Sequence, residues 1–140
     1  MSTRISGGSG MGTQLKTPRQ LARARKVMLV EDSELVLMSL EALFEDMEWD
    51  IDGPVKRLAD AMRLADTTDA DVALLDVNLN GEMSWPVAER LEARGIPVIF
   101  ATGYGDISTM PDHLKSVPLV GKPFAISDLE ALLKELVGDG

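Results

Sequence analysis

Five positions in this chain could do chemistry together. Glu31 and Asp32 follow the apolar run Val-Met-Leu-Val, Asp76 ends Ala-Leu-Leu-Asp, Thr102 follows Ile-Phe-Ala, and Lys122 follows Leu-Val-Gly. With no cysteine and one histidine, the chain can build no disulfide, thiolate metal site or multi-histidine centre. Carboxylates, hydroxyls and lysine are left to carry any reaction. Three carboxylates brought to one place repel one another and raise their pKa values unless a cation neutralises them; an all-oxygen cluster suits a hard divalent ion such as Mg2+. Lysine and a hydroxyl at the same rim are the groups that hold phosphoryl oxygens. Taken singly, each residue also has an ordinary reading. Asp76 could be a solvated strand end, Glu31-Asp32 a helix cap and Lys122 a surface lysine.

The elements that must position these residues decide the matter. Short β-branched or apolar runs at 26–30, 71–76, 96–101 and 117–121 read as buried strands, and a run around 49–57, interrupted by Gly53 and Pro54, reads as a shorter strand near a sheet edge. Between them lie segments of helical period. Ser33 offers a cap to a helix with Val36, Leu40, Leu43 and Met47 on its apolar side, and residues 58–69 and 84–95 form two more, the latter with Pro86 near its start and Gly95 at its end. Residues 103–116 contain Pro111, Gly103 and Gly105 and predict a short or irregular fourth helix. A capping box at Ser127 to Glu130 predicts the start of the last helix, with Leu129, Leu132, Leu133 and Leu136 inward. Met28, Met38, Met47 and Met62 fall at core spacings.

Five strand-helix units with near-continuously apolar strands imply a doubly wound α/β fold around a five-stranded parallel sheet. Ligands of such sheets sit at the carboxyl ends of the strands, where all five chemical positions fall. The 140 residues suffice for one domain at 25–138 behind a flexible basic arm at 1–24, whose Ser-Gly-Gly-Ser-Gly start reads partly as a leader. Residues 1–26 carry six of the 14 basic residues and none of the 23 acidic ones, so the body is strongly acidic. That balance argues against direct nucleic-acid binding. No apolar run approaches the roughly 20 residues of a membrane span, so a cytoplasmic location without membrane insertion is expected.

The ordered set Glu31-Asp32, Asp76, Thr102 and Lys122-Pro123-Phe124, each at a predicted strand end, resembles a response-regulator receiver domain of the CheY-like, flavodoxin-like type over about residues 25–138. Phe100 to Gly105, Phe-Ala-Thr-Gly-Tyr-Gly, further resembles the FATGUY subclass of single-domain regulators. The resemblance implies strand order 2-1-3-4-5. It implies that Asp76 accepts a phosphoryl group from a histidine kinase or histidine phosphotransfer protein, with Thr102, Lys122 and the Gly103 amide holding phosphoryl oxygens. Glu31, Asp32, Asp76 and the backbone carbonyl of Asn78 would hold Mg2+, and the protein would act alone as a monomer or weak homodimer, signalling to a protein partner or passing the phosphoryl group on. The pattern departs from the family at one place. Many receivers carry a switching aromatic residue three positions before the active lysine, where this chain has Leu119, and Tyr104 is the substitute expected here.

Two rival classes are weighed against this reading. A constitutive interaction module would not need all five site positions. A hydrolase of small phosphate esters would resemble an Asp-x-Asp pattern, whereas Asn78 stands two residues after Asp76 and cannot serve as a general acid.

Overall fold

The computed structural model describes residues 25–103 and 105–138. Strand β1 (Lys26–Val30) leads into helix α1 (Glu34–Met47), followed by β2 (Asp50–Val55), α2 (Leu58–Thr67) and β3 (Val72–Asp76). A two-stranded hairpin, β4 (Asn78–Leu79) and β5 (Glu82–Met83), precedes α3 (Trp85–Ala93) and β6 (Val98–Thr102). Two 3-10 turns, Asp106–Thr109 and Asp112–Leu114, connect to β7 (Leu119–Gly121) and α4 (Ile126–Val137). The main sheet has the order β2-β1-β3-β6-β7 and every pairing in it is parallel. With the hairpin set aside, this is the expected order of five strands.

The side-chain alternation of each central strand feeds two cores, one on each face of the sheet. Met28, Val30, Ala73, Leu75 and Phe100 pack with Ala61 and Ala65 of α2 and Val87, Ala88 and Leu91 of α3. Val27, Leu29, Val72, Leu74 and Ile99 pack on the other face with Leu37, Leu40, Leu43 and Phe44 of α1 and Leu129 and Leu133 of α4. Both faces of β1 and β3 are therefore dry, which explains why these strands read as apolar runs.

Local signals hold at several boundaries. Ser33 caps α1, its hydroxyl accepting from the Val36 N–H at 3.3 Å. Gly95 follows α3 with a φ of 79°, a conformation that favours glycine. Gly53 has a φ of 107°, and a Cβ there would lie 3.0 Å from the Leu29 carbonyl and 3.0 Å from the Val55 N–H nitrogen. Its freedom permits the register shift between β1 and β2, after which the Glu31 N–H donates to the Val55 carbonyl at 3.1 Å. Gly53→Ala should cost about 1–3 kcal/mol by equilibrium urea unfolding, since both the backbone conformation and the space oppose a side chain.

Other expectations change. The α4 capping box does not form: the Asp128 and Leu129 N–H groups donate to the Ala125 carbonyl, Ala125 is the cap residue, and Ser127 lies inside the first turn. A hydroxyl there no longer sits outside the helix facing the orphan amides. On α1 the buried stripe is Leu37, Leu40, Leu43 and Phe44, with Val36 and Met47 only partly buried. Met38 faces outward at 66% exposure rather than joining a core, because the buried stripe is centred on its neighbour Leu37. Residues 103–116 contain no described α-helix, as Pro111 and the glycines predict.

Candidate functional site at the carboxyl ends of the strands

β1, β3, β6 and β7 are neighbours in register, so their exits deliver polar side chains to one rim. Glu31 leaves β1, Asp76 ends β3, Thr102 ends β6, and the Lys122 N–H donates to the Thr102 carbonyl at 2.8 Å just beyond β7. One carboxylate oxygen each from Glu31, Asp32 and Asp76 lies within 4.8 Å of the others. Glu31 and Asp76 are buried, at 1% and 4% exposure. Lys122 Nζ bridges the two, 3.0 Å from Glu31 Oε1 and 3.0 Å from Asp76 Oδ2.

One ammonium among three carboxylates leaves the rim short of positive charge. Burial, reinforced by the charge of Glu31 and opposed by Lys122, pushes the Asp76 carboxyl up to about 7. Burial disfavours the charged form of Lys122 as well, yet its hydrogen bonds to Glu31 and Asp76 outweigh this and raise its pKa above that of an ordinary lysine. Such a pocket gains from an added cation, and its all-oxygen donors suit a hard divalent one. Among the described residues the sequence candidates Glu31, Asp32, Asp76 and Lys122 thus converge. Asn78, the first residue of β4, adjoins them and donates its backbone N–H to Asp76 Oδ1 at 3.2 Å.

The remaining candidates stand differently. The Thr102 hydroxyl lies at the rim but donates to the Gly103 carbonyl at 3.0 Å instead of to a carboxylate. The Gly103 N–H donates to Asp106 Oδ2 at 2.9 Å. Leu119 opens β7 and is 39% exposed, while Tyr104 lies outside the described residues. Sequence reading missed two features here. The hairpin after Asp76 was signalled by Asn80-Gly81, whose φ values of 55° and 95° are those of a tight two-residue turn, and Gly81 N–H donates to Asn78 Oδ1 at 2.6 Å. Asp106 carried no comparable signal, because its partners are spatial and lie up to 28 positions away.

A response regulator receiver domain model matches residues 27–134, which spans both cores and the whole rim. The chain belongs to the response-regulator receiver family. This receiver is 27% identical over 122 residues to the phyllosphere-induced regulator PhyR of Methylorubrum extorquens, covering 84% of the chain and 46% of that protein. It spans about half the length of the curated relatives it matches. The solution structure of SdrG from Sphingomonas melonis Fr1 aligns at 38% identity and TM-score 0.70, covering 81% of this receiver and 96% of that chain. A structure of the BeF3-activated conformation of SdrG, from Pseudomonas melonis Fr1, aligns at 36% identity and TM-score 0.66 over 82% and 98% of the two chains. In fold the receiver also matches that of sensor histidine kinase PA1611 from Pseudomonas aeruginosa PAO1, whose active-site cleft coordinates a magnesium ion, at 21% identity and TM-score 0.68 over 83% and 99%.

Proposed function

We propose that this receiver accepts a phosphoryl group on Asp76 from a histidine kinase or histidine phosphotransfer protein and signals through the resulting change at its surface. The observation that carries the reading is the buried Glu31-Asp76 pair bridged by Lys122, with Asp32 beside it. Phosphorylation proceeds by in-line displacement: an Asp76 carboxylate oxygen attacks phosphorus, the bond to the donor nitrogen breaks, and the donor imidazole leaves with the electron pair. Glu31, Asp32, Asp76 and the Asn78 carbonyl would hold Mg2+, which neutralises charge on the phosphoryl oxygens when bound.

The chain's own groups do the rest. Lys122 shifts its contact from Asp76 to a phosphoryl oxygen while keeping Glu31. The Thr102 hydroxyl turns from the Gly103 carbonyl to a second oxygen, and the Gly103 N–H completes the cradle. The strongly acidic composition, with a net charge of -9, disfavours a nucleic-acid partner, and no described helix is long and apolar enough to cross a membrane. We assign the receiver to the cytoplasm, where its phosphodonors work.

Incubation with acetyl phosphate and Mg2+ should add one phosphoryl group by intact mass, and chelation should suppress the addition. Failure with acetyl phosphate and with a panel of histidine kinases would refute the reading. Mg2+ binding should also depend on pH. Because burial pushes the Asp76 carboxyl up to about 7, the ion must displace a proton below that value and meets a free carboxylate above it. Affinity measured by calorimetry should fall by up to about tenfold per unit on acidification below neutrality, with matching proton release.

A further inference from the structure

Asp106 opens the first 3-10 turn after β6, and the reaction outlined above has no use for it. Its carboxylate nevertheless reaches the rim. Oδ2 accepts from the Gly103 N–H at 2.9 Å and Oδ1 accepts from the Asn78 side-chain amide at 3.3 Å. The fit is close, since a Cβ on Gly103 would stand 3.2 Å from Oδ2. The Gly103 carbonyl is engaged as well, accepting from the Thr102 hydroxyl at 3.0 Å and the Asp106 N–H at 3.3 Å. Both donors assigned above to phosphoryl oxygens, the Gly103 amide and the Thr102 hydroxyl, are therefore occupied within one turn that Asp106 closes.

We infer that Asp106 is an internal stand-in for the phosphoryl group, holding the Gly103 amide at rest and leaving it when Asp76 is phosphorylated. The inference rests on the phosphoacceptor reading and adds a residue to it. A single N–H cannot serve a carboxylate and a phosphoryl oxygen at full strength, and two anions crowded on one amide repel. Asp106 must therefore give way, and its departure releases the Asn78 side chain and the leading end of the turn. That turn carries Ile107, an exposed apolar side chain, and is tied at its other end by the Trp85 indole N–H donating to the Thr109 hydroxyl at 3.3 Å. Phosphorylation is thereby linked to an apolar surface residue in a receiver whose β7 offers Leu119 instead of an aromatic switch.

The test uses the full chain with Mg2+ and beryllofluoride as the phosphoryl probe. Asp106→Ala should bind beryllofluoride about tenfold more tightly than wild type, the effect of removing one charge-assisted competitor. The Gly103 amide proton, deshielded by the carboxylate at rest, should move upfield in the variant and return downfield in its beryllofluoride complex. Asp106→Asn keeps the shape without the charge and should tighten binding by a smaller factor; it carries the test if the alanine variant does not fold. Glu82→Gln removes an exposed charge from the neighbouring hairpin and should change nothing. Equal tightening by Glu82→Gln, unchanged or weaker binding by the Asp106 variants, or an unmoved Gly103 resonance would overturn the inference. A wild-type chain that fails to bind beryllofluoride would instead overturn the phosphoacceptor reading on which it stands.

Discussion

Asp76→Asn should abolish phosphoryl incorporation and, at the same time, stabilise the metal-free protein at pH 8. Loss of incorporation follows from removing the attacking oxygen at the end of β3. The gain in stability follows from linkage. The folded chain raises Asp76 from 3.8 to about 7, so between those values the folded form keeps a proton that the unfolded form has released. Its contribution is full below about pH 4 and is lost as pH rises through about 7. An amide at this position never ionises and escapes the loss. We expect Asp76→Asn to be about 1–3 kcal/mol more stable by urea unfolding at pH 8, with the difference shrinking toward pH 5. A variant less stable than wild type at pH 8 would contradict the charge account of the rim.

Lys122→Met should act in the opposite direction. The methionine keeps much of the apolar stem but removes the ammonium that bridges Glu31 and Asp76, and leaves two buried carboxylates facing each other. Breaking one side of a buried ion pair costs about 3–5 kcal/mol, and Mg2+ should restore part of that loss by taking over the neutralising role. Thermal unfolding with and without Mg2+ checks both parts. A Mg2+-induced increase in stability larger in Lys122→Met than in wild type is the expected outcome, and an equal increase in both would show that lysine and metal do not share the same carboxylates. Phosphoryl transfer should fall at least tenfold, since a phosphoryl oxygen loses its cationic partner.

The strands were legible because buried parallel strands must be apolar and must end abruptly, whereas their order came only from the resemblance to receiver domains. A charge such as Asp76 directly after Ala-Leu-Leu marks that end without ambiguity, and four such endings locate the rim. What was not legible depends on spacing finer than a pattern can carry. A helical stripe read as Val36, Leu40, Leu43 and Met47 differs from the buried one at both ends, where Leu37 and Phe44 take the places of Val36 and Met47, and Met38 turns outward. The capping box at Ser127 fails for a similar reason: the segment after Lys122-Pro123 turns helical two residues too early. Asn80-Gly81 was a readable hairpin signal, obscured because it sits in the loop that the site itself occupies. Thr102 and Gly103 were found by position, yet their resting partners, a neighbouring carbonyl and Asp106, could be seen only in three dimensions.

The most direct test is the chemical location of the phosphoryl group. The chain would be treated with acetyl phosphate and Mg2+, reduced with borohydride, which converts an acyl phosphate to the alcohol, and digested for peptide sequencing by mass spectrometry. Homoserine at position 76 and at no other acid is the expected result. 5-Hydroxynorvaline at position 31, homoserine at position 32, or phosphoryl incorporation that survives in Asp76→Asn, would contradict the central claim.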